Sequence, residues 1–419
     1  MHPTGPATPR RFHYAWAVLA VGTLVVFGSL GLARFGYSML LPAMQAGLRL
    51  DNTQAGGLAT ANLVGYLVLA LAGGALAARC GPRIVIAAGL AVVAAGMALT
   101  ALADTFPAAA AWRALTGLGS GASNVPVMGL LAAWFARRRR GLAAGIGVTG
   151  SSLALIVLGP GVPWMLTAHG PDGWRICWLV FAGATAGLAV LALLVLRDRP
   201  SAMGLRPLGA GGDEEATMAT TGGLAWGRVY RSAIVWHVGL IYVAFGFSYI
   251  IYLTFFTKRL IADEGYTPHA AGRLFMLMGW VSLLCGLIWG WVSDVIGRRG
   301  ALALVYLIQA ASFGAFAAKS SPAAFTISAV LFGLTAWSIP AIMAAACGDL
   351  LGPRLAPAAL GFITVFFGIG QAAGPSAAGA LADATGSLSP AMLLAAGVSL
   401  LGAVGALLLR RAVPPSVAA

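Results

Sequence analysis

The chain alternates long apolar runs with short polar loops. A transmembrane helix needs about 20 mostly apolar residues, and twelve runs have about that length. They cover residues 15–41, 54–78, 84–103, 108–133, 141–166, 174–196, 233–257, 268–292, 300–318, 322–346, 356–382 and 389–409. No small-residue cleavage site follows the first run, so we expect a spanning helix there rather than a removable signal. The pattern predicts an all-α membrane protein with twelve transmembrane helices.

One long polar segment interrupts this series between the sixth and seventh runs. Residues 197–232 are rich in Pro, Gly and charged side chains and contain the sequence RDRPSAMGLRPLGAGGDEEATMATTGG. Such a composition is typical of a flexible linker. We therefore expect two six-helix bundles, at residues 1–196 and 233–419, on either side of this linker.

Composition and charge favour a membrane protein. Of the 419 residues, 59% are hydrophobic and only 9% are charged, whereas soluble proteins carry about 25% charged residues. The net charge of +14 does not indicate nucleic-acid binding, because the basic residues form short clusters between apolar runs. With a cytoplasmic N-terminus, 18 of the 26 basic residues face the cytoplasm and five face outward. This bias predicts that both termini and the linker are cytoplasmic, and we expect a multi-pass protein of the bacterial inner membrane.

The reactive side chains give no sign of an enzyme or a metal protein. Four Cys and five His are dispersed along the chain and show no metal-ligand spacing. No nucleophile elbow and no nucleotide-binding loop is present. We therefore expect no cofactor, no metal and no direct coupling to ATP.

Two loops repeat each other in the two halves. GALAARCGPR covers residues 74–83, and GWVSDVIGRR covers residues 290–299. Gly74 and Gly290 are predicted to let neighbouring helices approach closely. Arg83 and Arg298 are predicted to contact helix ends or acidic groups, with Asp294 as the acid of the second loop.

Both loops resemble the signature loop of the major facilitator superfamily, Gly-x-x-x-Asp-Arg-x-Gly-Arg-Arg. Ala78 stands at the Asp position of the first copy, which leaves that half without the acid of the usual charge relay. Further resemblances follow in chain order: WRALTGLGSG from Trp112, Trp134-Phe135 with the basic run that ends at Gly141, LGPGVP from Leu158 in part, and GWR from Gly173. The resemblance implies two six-helix bundles and secondary transport by alternating access between them.

A narrower resemblance is to the YbfB/YjiJ-like branch of that superfamily. It is carried by LARFGYSMLLPAM from Leu32, FGFSYIIYLTFF from Phe245 and AGRLF from Ala271. The linker RDRPSAMGLRP and the opening WAVLAVG are also similar to monocarboxylate and oxalate transporters. The monocarboxylate transporters have a Lys in helix one at about the place of Arg34.

The charges inside the predicted spans have one sign. Arg34, Arg113 and Arg273 lie within spans, and all twelve acidic residues lie in loops or at span ends. A cavity with unpaired arginines favours an anion, because the guanidinium group matches a carboxylate with two hydrogen bonds. Arg34 is either a substrate anchor or an interface residue that reaches towards the bilayer surface. A structural role at the helix start is slightly favoured for Arg113, and an ion pair with the nearby Asp263 and Glu264 is favoured for Arg273.

Polar and aromatic positions within the spans complete the candidate site, although packing is a ready alternative for each aromatic residue. The predicted substrate-binding residues are Arg34, Tyr37, Asn62, Tyr66, Asn124, Tyr249, Tyr252, Trp280 and Gln371. The predicted gating residues are Gly74, Arg83, Arg113, Gly290, Asp294 and Arg298. Tyr242, Tyr249 and Tyr252 are predicted to share one face of span seven. Glycine pairs at 117 and 121, 141 and 145, and 370 and 374 are predicted to allow close helix crossing.

These observations predict a secondary transporter of a small, monocarboxylate-like organic anion. Inward movement of an anion against the membrane potential requires a co-transported proton, carried by the substrate or by a span-end acid such as Asp294, or an exchange of anions. Proton coupling is favoured, with substrate and proton sharing the Arg34 region. The alternative is an exporter of drugs or amphipathic metabolites, which shares the fold and differs in the charge of its substrate. The expected partners are the substrate, protons and the lipid bilayer, with no nucleic acid, and we expect a monomer.

Overall fold

A computed structural model describes residues 13–210, 229–318 and 321–409. Within these ranges the chain is almost entirely helical, and its only β-type pairing is a single bridge between Phe135 and Leu208. The first six helices are α1 Ala15–Leu48, α2 Asn52–Cys80, α3 Pro82–Ala101, α4 Phe106–Trp134, α5 Arg140–His169 and α6 Gly173–Val195. The other six are α7 Ala233–Asp263, α8 Pro268–Ser282 with Cys285–Ile296, α9 Arg298–Ala317, α10 Pro322–Asp349, α11 Ala359–Thr385 and α12 Ser389–Leu407.

Each of the twelve predicted spans corresponds to one of these helices. Nine segments of the described chain are long and apolar enough to cross a membrane, or ten when the two parts of α8, bent by 46°, are taken together. One of the nine, Arg140–Val195, contains both α5 and α6. Helix α1 continues seven residues past the predicted end at Leu41, because Pro42 lies inside the helix without ending it.

The first part of the predicted linker is not a free segment. Pro200–Met203 forms a short 3₁₀ turn, and Leu208 exchanges backbone hydrogen bonds with Trp134 and Ala136 at the end of α4. The prediction of a flexible linker is therefore wrong for residues 197–210, since their backbone groups find partners in the loop between α4 and α5. Residues 211–228 lie outside the described part of the chain.

Glycines bring helix backbones into direct contact within each half. A Cβ atom added at Gly117 would lie 1.9 Å from the carbonyl oxygen of Asn62, and one at Gly121 would lie 2.4 Å from that of Tyr66. In the second half, a Cβ atom at Gly370 would lie 2.3 Å from the carbonyl oxygen of Val243. The predicted close crossings at 117 and 121 and at 370 and 374 are confirmed. They hold α2 against α4 and α7 against α11.

Four other glycines do not make the close approaches predicted for them. The space around an added Cβ is empty to 4 Å at Gly74, Gly141, Gly145 and Gly290. The prediction is wrong for these positions in this conformation. All four lie towards the end of the bundle that carries Arg83 and Arg298, which we call the basic end, and the described residues form no hydrogen bond between the halves there.

The two halves meet from the opposite end to the middle of the bundle. A Cβ atom at Gly56 on α2 would lie 2.1 Å from the carbonyl oxygen of Pro375 on α11, and one at Gly272 on α8 would lie 2.1 Å from that of Gly159 on α5. Every hydrogen bond between the halves in the described residues also falls in this region, from Asp383 at the end to Ser152 near the middle. The molecule is therefore closed at the opposite end.

Asp383 forms the outermost link between the halves. Its carboxylate accepts hydrogen bonds from the backbone N–H groups of Asn52, at 3.0 Å, and Thr53, at 2.7 Å, and from the Thr53 hydroxyl at 2.6 Å. These donors are at the N-terminus of α2, where unpaired N–H groups attract a negative charge. The Lys258 ammonium contacts the Asn52 side chain beside them.

The close contact between α2 and α4 predicts that alanine is tolerated worse at Gly117 than at a glycine without neighbours. Gly117→Ala should destabilise the protein by about 1–3 kcal/mol, because the new methyl group overlaps a carbonyl oxygen and the helices must separate. Gly183→Ala on α6 is the control, since a Cβ there meets nothing within 4 Å. The measurement is the thermal unfolding of the detergent-purified protein. Equal melting temperatures for the two variants would contradict the close crossing.

The hydrogen bonds of Asp383 are predicted to stabilise the closed state of that end of the bundle. Asp383→Asn removes the charge from three hydrogen bonds, so the closed state should lose about 1–3 kcal/mol relative to the open one. A cysteine introduced at Ala59, which is 5% exposed, should then react about tenfold faster with an impermeant maleimide added from that side. Asp104→Asn is the control, because Asp104 pairs with Arg175 inside the same half. An unchanged rate in Asp383→Asn would show that this link does not hold the end closed.

Candidate substrate site

Helix α1 changes its winding where it approaches the other half. Residues Phe27–Phe35 are π-helical, between α-helical segments on both sides. A π-helical turn holds an extra residue and is found mostly at functional sites. Arg34 lies in the last turn of this segment, so the local widening sets the direction of its side chain.

The Arg34 side chain is buried inside the bundle. The residue is 9% exposed, and its Cζ atom lies 4.5 Å from the centroid of the Tyr66 ring on α2. Its Nε and Nη2 atoms have no hydrogen-bond partner, and no acidic side chain of the described residues pairs with it. Of the two alternatives for Arg34, the interface position is wrong, because the side chain turns towards α2 and the second half rather than towards the end of α1.

Three further predicted residues surround Arg34. The Asn124 amide on α4 donates a 3.1 Å hydrogen bond to the Tyr66 hydroxyl, while its own carbonyl oxygen has no partner. From the second half, the Gln371 amide donates to the Tyr249 hydroxyl, and that hydroxyl interacts with Arg34. The structure thus brings these residues together from α1, α2, α4, α7 and α11.

Arg113 lies next to Arg34 and is more deeply buried. It is 1% exposed, and its Nη1 atom donates a 2.7 Å hydrogen bond to the carbonyl oxygen of Ala33 in the π-helical segment. Its Cζ atom lies 4.8 Å from the Tyr37 ring and 5.0 Å from the Trp178 ring. Its Nε atom has no partner. The structural contact expected for Arg113 is present, and it holds the backbone beside Arg34 rather than only the start of α4.

Both arginines line one narrow cavity between α1, α2, α4 and α7. Asn62 joins α2 to α4 beside this cavity, since the Asn62 side-chain amide donates a 3.1 Å hydrogen bond to the Arg113 carbonyl oxygen. The complete lining is Arg34, Phe35, Tyr37, Ser38, Ala59, Asn62, Leu63, Arg113, Ile250, Leu253 and Thr254. The first half supplies the charges and the second half supplies a largely apolar wall.

The sequence pattern did not indicate all of these residues. Trp178 carries no motif and looked like one more aromatic residue of an apolar span, although it flanks Arg113. Ser38 donates its hydroxyl to the Leu253 carbonyl oxygen in the other half. A single Ser in an apolar run gives no signal of its own, because its role depends on the helix packed against it.

Two predicted substrate residues lie elsewhere. Tyr252 packs among Phe313, Phe316 and Phe332 and bonds to Ser328 at 2.8 Å, whereas Tyr242 and Tyr249 stack on Phe367. The prediction that the three tyrosines share one face is wrong. Tyr249 and Tyr252 are three residues apart, so their side chains point about 60° away from each other around the helix axis. Trp280 is 55% exposed and does not line the cavity.

The ion pair predicted for Arg273 forms at a different arginine. Arg273 is exposed, and Arg259 takes both acids, with Asp263 at 3.3 Å and Glu264 at 3.2 Å. Arg259 is fully buried and also donates to the carbonyl oxygens of Phe316 and Ala317. The prediction is wrong because α7 continues past Lys258 as a π-helical turn, which places Arg259 inside the bundle rather than in a loop.

The repeated loops hold their arginines by different partners. Arg83 donates from Nε to the Leu193 carbonyl oxygen at 2.6 Å, and its backbone N–H donates to Asp198 at 2.8 Å. Asp198 thus provides an acid in the first half, where Ala78 lacks one. In the second half Arg298 pairs with Asp294 at 2.6 Å and with Asp349 at 2.9 Å. The sequence indicated Asp294 but not Asp198 or Asp349, which come from other helix ends.

The arrangement of the twelve helices is that of a solved transporter structure. The structure is similar to that of a bacterial homologue of the human lysosomal transporter Spinster in an inward-facing, unoccupied conformation, with a TM-score of 0.76, 16% identity, and coverage of 96% of this chain and 98% of that chain. At this identity the likeness establishes the shared fold. Within the described residues, no group of three or more His, Cys, Asp or Glu is placed to hold a metal ion.

A narrower family assignment comes from sequence. A family model described as "Uncharacterised MFS-type transporter YbfB" matches residues 26–407, and the chain belongs to this family. Monocarboxylate transporter 11 of Mus musculus is 25% identical over 98% of this chain and 90% of its own length. Hexuronate transporter of Bacillus subtilis is 22% identical over 88% of each chain. The predicted family and the transporter class are confirmed, and the chain is not an enzyme.

The ion pairs of Arg298 predict an effect on transport without an effect on stability. Asp294 is 67% exposed in its side chain, so Asp294→Asn should change the melting temperature little. Uptake should fall severalfold, because the contacts of this loop must rearrange when the halves close at the basic end. Ala78→Asp is the comparison and should change uptake less, since Asp198 already contacts Arg83. Equal, negligible effects on uptake would show that Asp294 has no role in the conformational change.

Proposed function

We propose that this transporter moves a small, monocarboxylate-like organic anion across the membrane by alternating access. The observation that carries the proposal is Arg34, a buried guanidinium with two unpaired nitrogen atoms beside a cavity whose lining has no acid. An ionised side chain in a membrane protein is costly and marks a substrate pathway when no fixed partner neutralises it. A carboxylate fits the two unpaired donors as a bidentate partner.

The surroundings of Arg34 agree with a substrate that touches both halves. Tyr66 and Asn124 belong to the first half, and Tyr249 and Gln371 belong to the second. These four residues surround Arg34 but do not line the cavity, whose own lining also comes from both halves, with Arg34 on one side and Ile250 and Leu253 on the other. A ligand in the cavity therefore contacts groups that move relative to one another when the halves change their orientation. Two relatives are named for organic anions, a monocarboxylate and a hexuronate, which supports the same substrate class. A cationic drug is disfavoured by the two guanidinium groups.

Alternating access is supported by the distribution of contacts between the halves. Among the described residues, the hydrogen bonds between the halves lie from the Asp383 end to the middle of the bundle, and none lies at the basic end. The excess of basic residues at that end supports a cytoplasmic location for it, so we assign this conformation as open to the cytoplasm. The same charges support a bacterial inner-membrane protein with both termini inside, and the cavity lies within one chain, which supports a functional monomer.

We propose that transport is coupled to protons, and the membrane potential supports this. Moving an anion inward against an inside-negative potential costs about 2.3 kcal/mol per charge per 100 mV. A proton that enters with the anion removes this cost. Since no acid lines the cavity, we propose that the proton arrives on the substrate or through a span-end carboxylate.

Substitution of Arg34 tests the assignment. In proteoliposomes, Arg34→Lys should keep part of the uptake of a radiolabelled monocarboxylate, because the charge remains although the bidentate geometry is lost. Arg34→Gln should weaken the apparent affinity at least tenfold, since the charged partner is gone. Arg273→Gln is the control, because it removes an exposed arginine from the same protein.

The substrate is first identified by thermal shift with a panel of small carboxylates and cationic drugs. Stabilisation by carboxylates alone is the expected result. If Arg34→Gln transports the identified anion with unchanged affinity, Arg34 is not its anchor. Stabilisation by the cations instead would favour an exporter of drugs.

A further inference from the structure

We propose that the anion is a small dicarboxylate, held by Arg34 at one carboxylate and by Arg113 at the other. This inference rests on the anion carrier proposed above, but it replaces the monocarboxylate-like substrate with a dianion. It also gives Arg113 a binding role in addition to its contact with the backbone of α1.

The first argument is the charge of the cavity. Arg34 and Arg113 line the same cavity, and Arg113 donates a hydrogen bond to the carbonyl oxygen of Ala33, the residue next to Arg34. The lining contains no Asp or Glu, and neither arginine forms an ion pair among the described residues. Two like charges in a medium of low dielectric constant attract a ligand that neutralises both. A monoanion leaves one of them uncompensated.

The second argument is the hydrogen bonding of Arg113. Its contact with the Ala33 carbonyl oxygen uses Nη1 only, and its Nε atom is buried without a partner. The rings of Tyr37 and Trp178 lie against the cation but offer no oxygen to the edge of the guanidinium. The Tyr37 hydroxyl is itself occupied, because it donates to the Ala55 carbonyl oxygen at 2.7 Å. The described residues therefore supply no acceptor for the Nε atom of Arg113, and a carboxylate of a ligand can supply one.

The third argument is the asymmetry of the cavity walls. Both cations belong to the first half, whereas the second half contributes Ile250, Leu253 and Thr254. A short carbon chain with a carboxylate at each end fits this arrangement, with both charged ends towards the arginines and the methylene groups towards Ile250 and Leu253. The narrowness of the cavity favours a chain of a few carbons.

The experiment varies the charge of the ligand and the charge of the site together. Unbranched dicarboxylates from malonate to glutarate are each compared with their monomethyl esters, which keep the carbon chain and lose one charge. Binding to the purified full-length protein is measured by thermal shift and calorimetry at pH 7.5. At least one dicarboxylate should bind tenfold or more tightly than its own monoester.

Arg113→Gln should remove this preference. The affinity for the dicarboxylate should fall tenfold or more, and the affinity for the monoester should change less than threefold, because the monoester uses Arg34. Arg273→Gln should keep both affinities. Arg113→Lys should restore part of the preference for the dicarboxylate, since it keeps the charge.

The outcomes separate this inference from the proposed function. If monocarboxylates or monoesters bind as tightly as the dicarboxylates, the dianion is wrong and the anion carrier stands. If Arg113→Gln weakens both kinds of ligand equally, Arg113 acts only by holding α1, and its binding role is wrong. If no carboxylate binds, both proposals fail. The comparison of each dicarboxylate with its monoester needs only the unaltered protein, so it decides the question even when an Arg113 variant does not fold.

Discussion

Two guanidinium groups buried in an apolar bundle without a carboxylate partner are the constraint on which the site depends. Such charges are costly to place in a membrane, and the protein lowers the cost with aromatic faces and backbone carbonyl groups rather than with acids. Arg34 lies on Tyr66, and Arg113 lies between Tyr37 and Trp178 and bonds to Ala33. Nitrogen atoms of both side chains have no hydrogen-bond partner, and neither positive charge is neutralised by a carboxylate. An anion in the cavity would provide both the acceptor and the opposite charge.

The contacts within each half stay fixed during the proposed alternating access, whereas the contacts between the halves must break. Backbone contacts at Gly117 and Gly370 join helices of the same half, and their tightness favours two rigid bodies. The contacts between the halves are of another kind. Asp383 on α11 bonds to the start of α2, and Ser38 bonds to α7 beside the cavity. These hydrogen bonds are confined to one end and the middle of the bundle. Because the cavity lies along this seam, opening of the closed end also separates its two walls.

The basic end shows how one motif is maintained by different residues. The second loop keeps the family's acid, and Asp294 shares Arg298 with Asp349. The first loop has Ala78 in that place, and Asp198 approaches from the end of α6 instead. A carboxylate near an N-terminal helix end and an arginine is thus retained in both halves, although the sequence position of the acid differs. The contact of Asp198 with Arg83 adds to the backbone hydrogen bonds of Leu208 in holding the start of the linker against the first half.

The sequence by itself determined the twelve helices, the family and the excess of arginine over acid within the spans, because hydropathy, length and motif spacing are local properties of the chain. It also indicated Arg34, Tyr66 and Asn124, since polar groups in apolar runs are conspicuous. Only the tertiary structure decided that Arg34 points inward, that Arg113 shares its cavity and that Tyr252 and Trp280 do not. It also decided that Arg259 rather than Arg273 takes the ion pairs. The physical reason is that the direction of a side chain depends on which helix packs against it and on the π-helical turns that rotate α1 and the end of α7, and neither is encoded in the spacing of residues along one helix.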